Sequence, residues 1–194
     1  MREIVLFPDK VLRKKCLEIK EVDEVLLGEI RDLAEVLEKS ENGAGLAAPQ
    51  IGISKKFLGI KNKDGVKIYL NPRIKVYFGE KIYPKILNEE EKESDFLEGC
   101  LSFPDLFGTV KRYLKIEVVW EEIVEIGNPP KTKVLRRASK ILEGFEAIVW
   151  QHESDHLEGI LFVDRIKEEG GKFYLWTEDK KVLMDVDEIL TKEK

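Results

Sequence analysis

Three residues near the C-terminal end of the chain have the types and spacing of a metal-dependent hydrolase. His152 and His156 lie four apart in His152-Glu153-Ser154-Asp155-His156, an HExxH pattern. On a helix this spacing stacks both imidazoles on one face, so they can share one ion. Glu153 follows the first histidine and can reach water held by that ion. These are the only two histidines in the chain. A catalytic site of this type normally takes three protein ligands and leaves a position open. The extended pattern HExxHxxGxxH would put a third histidine at position 162, where the sequence has Phe162. The third ligand must therefore be a cysteine or a carboxylate. Cys100, in Glu98-Gly99-Cys100-Leu101-Ser102, is a candidate thiolate, and a core residue if read alone. Cys16 has no such neighbours and reads as core.

The elements that must position these residues follow from periodicity. Residues 22–40 are predicted helical, with Val25, Leu26, Ile30, Leu33, Ala34 and Leu37 on one face, stopped by Gly43-Ala44-Gly45. Strands are expected at 57–60 and 66–70 around Lys63-Asp64-Gly65, with Asn71-Pro72 closing the second and 74–78 forming another. Residues 84–95 read as an exposed loop or edge. Residues 113–125 read as a strand, Gly127-Asn128-Pro129-Pro130 as a turn, and 131–137 as the antiparallel return. From Ala138 to about Gly159 a helix is expected. Ile141, Leu142, Phe145, Ile148, Val149 and His152 share its face, and Gly144 lies inside it. Residues 172–176 suit a strand, and 181–190 a strand or a helix. The order predicts an α+β fold: antiparallel sheets packed around a central helix that carries HExxH, with a second, N-terminal helix. No linker is evident, so residues 1–194 are read as one catalytic domain.

Composition narrows the function classes. The chain is 37% charged and 43% hydrophobic, enough for a core in 194 residues. A net charge of −5 gives no basic excess to draw it to nucleic acid or anionic lipid. Lys111-Arg112 and the basic stretch 131–140 read as solvated strand faces. No apolar run approaches the ~20 residues of a membrane span. MREIVLFPDKVLRKKC is too polar for a signal peptide. The expected location is the cytoplasm, where a disulfide between two cysteines is not expected.

GAGLAAPQIG (43–52), EGCLSFP (98–104) and QHESDHLEG (151–159) resemble the three motifs of the peptide deformylase family, in that family's order. VLRKK, LNP at 70–72 and LFVDR at 161–165 add weaker agreement. The resemblance implies that Cys100, His152 and His156 hold one divalent metal ion per chain. Fe²⁺ is favoured, and Zn²⁺, Ni²⁺ or Co²⁺ are accepted by the same ligands. It implies that Glu153 takes a proton from water and delivers it to the departing amine. The Gln50 side-chain amide and the Leu101 N–H would stabilise the oxyanion. Gly43, Ala44, Gly45 and Gly99 would lie along an extended substrate. Ala44, Phe96, Phe145, Ile148 and Val149 are candidates for an apolar pocket that takes the methionine side chain. Glu98 would pair with Arg112 and brace the cysteine loop. The implied substrates are N-formylmethionyl nascent chains, with which a transient ribosome contact is compatible; the products are formate and a free amine. Phe103 and Phe107 are bulkier than is usual in the family beside the cysteine motif, and the 172–194 tail does not read as a long terminal helix. Two other readings fit HExxH alone: a zinc endopeptidase, and a binding protein that keeps the metal site without turnover.

Overall fold

The computed structural model describes residues 2–87, 93–127, 132–178 and 180–193. After a 3₁₀ turn at Lys10–Arg13 comes helix α1, Glu24–Lys39. Asp23 caps its first turn by accepting from the Leu26 N–H at 2.7 Å. Leu26, Leu33 and Leu37 are buried on its apolar face, whereas Val25 is solvent-exposed. The glycines do not end this helix. Ser40 does, its hydroxyl donating to the Val36 carbonyl at 2.9 Å. Neither Gly43 nor Gly45 has a positive φ.

Five strands form the larger sheet: β1 (Gly45–Ala47), β2 (Phe57–Asn62), β3 (Gly65–Phe78), β8 (Lys115–Ile126) and β9 (Thr132–Glu143), in the order β1-β2-β3-β8-β9, antiparallel throughout. Between β3 and β8 the chain makes β4 (Lys85–Leu87), β5 (Glu93–Asp95), β6 (Glu98–Cys100) and β7 (Phe103–Gly108). The smaller sheet runs β11-β10-β7-β6, with β10 at Phe173–Trp176 and β11 at Lys181–Met184. Strands β4 and β5 pair with each other, so part of the expected 84–95 loop is a short ladder. Helices α2 (Gly144–Leu157), α3 (Phe162–Glu169) and α4 (Val186–Leu190) complete the described fold. The 181–190 segment is thus strand and then helix, and α3 has no counterpart in the sequence reading. The expected turn at 127–130 lies, beyond Gly127, outside the described residues.

Two boundaries differ from the sequence reading. Asn71-Pro72 does not end a strand: β3 runs through it with a break in register between Leu70 and Arg73. Asn71 adopts φ 46° there, and its buried amide bridges the Ile19 N–H and carbonyl at 2.8 and 2.7 Å. The turn-forming chemistry of Asn-Pro is used for a bulge. The helix expected from Ala138 begins only at Gly144. Ala138–Glu143 is strand, paired residue for residue with Trp120–Lys115. Its alternation is that of a sheet: Ile141 is exposed and Leu142 buried. Gly144 is at the helix start, where φ 59° turns strand directly into helix.

Helix α2 has buried residues on all sides, from Ala147 to Glu153 and at His156 and Leu157, as expected for a central helix. Ala147, Val149 and Trp150 pack on Leu58, Tyr69, Ile116, Val118 and Trp120 of the larger sheet. The opposite face of that sheet receives α1 through Phe57 and Leu70. Phe103, Phe162, Val163, Ile166 and Phe173 form a third core between the smaller sheet and α3. The basic residues of β9 are largely exposed, as expected for a solvated edge; Arg112 is not, being 3% exposed.

Candidate active site

The HExxH residues lie in the buried half of α2 and face β6. Cys100 Sγ, His152 and His156 bring their ligand atoms within 4.8 Å of one another. Cys100 Sγ is 3.2 Å from His156 Nε2. Tetrahedral coordination at Zn–N and Zn–S lengths would set such atoms about 3.3–3.6 Å apart. The three residues therefore fit one ion with small adjustments. His152 Nδ1 lies 3.0 Å from a Glu98 carboxylate oxygen. Donation to Glu98 leaves Nε2 of His152 as the ligand atom, the usual way a carboxylate orients a metal-binding imidazole.

Glu98 is itself held. Arg112 donates to both of its oxygens, Nε at 2.7 Å and Nη2 at 2.9 Å. The other arm of Arg112 donates to Asp155 at 2.7 Å, and Asp155 also accepts from Arg165 at 2.7 Å. The brace expected between Glu98 and Arg112 is thus present. Its extension through Asp155 to Arg165 was not read from the sequence, although Asp155 lies inside the HExxH segment. Burial would raise the Glu98 carboxyl, but the Arg112 guanidinium and His152 outweigh it and hold the group at about 2. Burial, with His152 and Arg112 nearby, pushes His156 well below its ordinary value, which favours the neutral, ligating imidazole. Burial also opposes charge on His152, but Cys100 and Glu98 keep its value raised, so proton and metal compete for that ring.

Glu153 is 4% exposed, and its Oε2 has no protein hydrogen-bond partner. Burial raises its carboxyl to about 7. An unpaired buried carboxylate oxygen beside three metal ligands fits a residue that hands a proton to and from water. Strand β1 crosses directly over it. A Cβ on Gly45 would come within 2.6 Å of Glu153 Oε1 and 2.8 Å of Val149 Cγ1, so only glycine allows this approach.

Gln50 sits in the 3₁₀ turn Ala48–Ile51, 1% exposed. Its Oε1 accepts from the Ala47 N–H at 2.8 Å. That bond fixes the amide orientation and turns Nε2 inward, 3.4 Å from Cys100 Sγ and 3.3 Å from Ser102 Oγ. Ser102, fully buried, is a positioning partner that the sequence reading did not single out. Leu101 follows Cys100 in a turn, and its side chain packs with the α1 core.

A cavity of about 560 Å³ opens over these groups. Gly43, Ala44, Gly45, Gln50, Gly99, Cys100, Leu101, Phe145, Ile148, Val149, His152 and Glu153 all line it. His156 lies beneath, 1% exposed. Ile148 and Val149 form buried wall, while Phe145 is an exposed rim residue in edge contact with Phe96 at 6.0 Å. Cys16 is core, its thiol raised by burial to about 11.

Comparison with known proteins gives the same answer as the geometry. A Clostridium acetobutylicum protein named peptide deformylase 2 is 34% identical over 168 residues, covering 87% of this chain and 97% of that one. The peptide deformylase of Aquifex aeolicus is 36% identical over 173 residues, covering 86% and 88%. The crystal structure of the Thermotoga maritima peptide deformylase superposes with a TM-score of 0.64 at 34% identity, over 85% of this chain and 97% of that one. That of Synechococcus elongatus, solved with actinonin, reaches 0.68 at 27% identity over 99% and 85%. The sequence pattern of the polypeptide deformylase family matches residues 1–172, a stretch that includes every residue placed around the cavity, and the chain belongs to that family.

Proposed function

We propose that this protein hydrolyses the N-terminal formyl group of formylmethionyl nascent chains in the cytoplasm, releasing formate. The observation that carries the reading is the placement of Glu153. Its unpaired carboxylate oxygen shares one cavity with the Cys100-His152 pair and the inward-facing amide of Gln50. Cys100, His152 and His156 would hold one divalent ion, which when bound supplies Lewis-acid activation of water and of the formyl carbonyl. We assign Fe²⁺ as the preferred ion, on the family resemblance and the thiolate ligand; Zn²⁺, Ni²⁺ and Co²⁺ suit the same donors.

Glu153 accepts the proton of the attacking water and returns it to the amine nitrogen as the formyl C–N bond breaks. Gln50 Nε2 and the Leu101 N–H donate to the oxygen that gains charge at the formyl carbon. The backbone of β1 and Gly99 supports the extended peptide, a form of strand addition. Ala44, Ile148 and Val149, with Phe96 and Phe145 at the rim, take the methionine side chain. Among the described residues, no helix is long and apolar enough to cross a membrane. Side chains of α2 pack into the core of the larger sheet while its HExxH residues face β6 of the smaller one, which supports reading the chain as one catalytic unit. Glu153→Gln keeps the shape and removes the proton acceptor. It should lower kcat for formyl-Met-Ala by roughly 10²–10⁴ without loss of metal. Undiminished turnover in that variant would remove Glu153 from the reaction.

A further inference from the structure

The smaller sheet has one face in the core and one outside. Phe103, Leu106, Phe173 and Met184 pack on the α3 core. Alternation places Phe107, Tyr174, Trp176 and Leu183 on the other face, with Lys181 beside them, its ammonium 4.4 Å from the centre of the Tyr174 ring. Phe107 lies opposite Tyr174, and Tyr174 opposite Leu183. The Phe107 and Trp176 rings meet edge-on at 5.5 Å. Trp176 is 51% exposed and Leu183 66%, whereas Trp120 and Trp150 are buried. A solvated sheet face is ordinarily polar, so an exposed aromatic strip here calls for an occupant.

The strip is continuous with the catalytic cavity. Phe107 belongs to both. Its ring covers Gly99, where a Cβ would come within 2.7 Å of it, one residue from Cys100. A register shift between Gly99 and Cys100, together with Asp105 at φ 62°, makes the bulge that turns Phe107 outward. Strands β10 and β11 lie beyond residues 1–172, the part the family pattern specifies. The strip is therefore largely built by the C-terminal segment, outside the stretch that the family pattern matches.

We propose that this strip holds the substrate chain downstream of formylmethionine, at about its third to fifth residues, and favours apolar or aromatic side chains there. The proposal rests on the deformylase reading. A polypeptide with its formyl group at Cys100 and the histidines must leave the cavity across its rim, and Phe107 is the lining residue that joins the cavity to the strip. From β7 to β11 is two strand spacings, about 10 Å, the length of about three extended residues.

The test compares the metal-loaded protein on formyl-Met-Ala, formyl-Met-Ala-Phe-Leu-Phe and formyl-Met-Ala-Ser-Gly-Ser, in the wild type and in Trp176→Ser and Leu183→Ser. Both side chains are more than half exposed, so unchanged turnover of formyl-Met-Ala serves as the check on folding. The wild type should show a KM roughly three- to tenfold lower for the apolar pentapeptide than for the polar one. Each variant should bring that ratio towards one with kcat unchanged. Equal KM values in the wild type, or a preference that survives both substitutions, would overturn the proposal. A dimer that Trp176→Ser dissociates, with peptide preference unchanged, would assign the strip to a second copy and also overturn it. Formyl-Met-Ala left intact by the wild type would overturn the deformylase reading, and this proposal with it; a failure confined to the pentapeptide comparison leaves that reading standing.

Discussion

At the scale of single residues, the site works by fixing donors and leaving one acceptor free. Gln50 spends its carbonyl on the Ala47 N–H, and so its amide N–H₂ group points at the reaction centre with no competing charge. Replacing it with leucine removes a donor aimed at developing charge and should cost about 10²–10³ in kcat with little change in KM. Steady-state kinetics on formyl-Met-Ala check this; a change confined to KM would make Gln50 a ground-state contact only. Much of this scale was legible in the sequence. HExxH named His152, Glu153 and His156 because helical spacing converts directly into shared geometry. Cys100 and Gln50 needed the family resemblance, since neither has a local pattern that separates a ligand from a core cysteine, or an oxyanion donor from a surface glutamine. Ser102 lies inside the EGCLSFP motif, but nothing there marks its part, which is to accept from another side chain.

At the scale of elements, the site depends on close approach between β1, β6 and α2. Gly45→Ala would force a methyl group against Glu153 and Val149. It should leave thermal stability within about 1–3 kcal/mol of wild type, the usual range for overpacking, yet lower turnover sharply because Glu153 must move. Thermal melts set beside kinetics separate the two effects. The Glu98–Arg112 pair joins β6 to the segment before β8 and, through His152, to α2. The folded-state value of Glu98, about 2, lies below its ordinary 4.5. The stabilisation it provides is therefore fully present above about pH 4.5 and is lost as pH falls towards 2. Glu98→Gln leaves a buried Arg112 charge less compensated and should cost about 3–5 kcal/mol near neutral pH. It should also flatten the acid limb of a Tm-against-pH curve and weaken metal binding about 10–100-fold. Element boundaries were the least legible feature. Ile141, Leu142 and Phe145 happen to sit at helical spacing across a strand end, and pairing with β8 decided the outcome. Asn71-Pro72 carries a turn signal that the sheet uses as a bulge.

At the scale of the whole molecule, the predicted α+β arrangement around a central HExxH helix is the one observed, because an all-round buried α2 leaves room for sheets on both sides. The helix α3 and the register of the smaller sheet were not visible in advance. Short apolar runs such as 160–163 satisfy strand and helix alike until a partner surface selects one. The same scale bears on the metal. Stripping it with a chelator should abolish turnover while leaving most of the fold, since the cores around α1 and α3 do not include the ligand histidines. Far-ultraviolet circular dichroism with a parallel activity assay would show this. Readdition of Fe²⁺ without oxygen should restore more activity than Zn²⁺, and air should remove the difference as the thiolate and iron oxidise.

This cavity should break the formyl C–N bond and no other, an expectation that one measurement reaches directly. That measurement is a product balance on formyl-Met-Ala-Ser with Fe²⁺-loaded protein kept free of oxygen. One formate and one free N-terminal amine should appear per peptide consumed, with Met-Ala-Ser as the sole peptide product. Internal Met-Ala or Ala-Ser cleavage, or no formate while Glu153 is intact and the ion is bound, would contradict it.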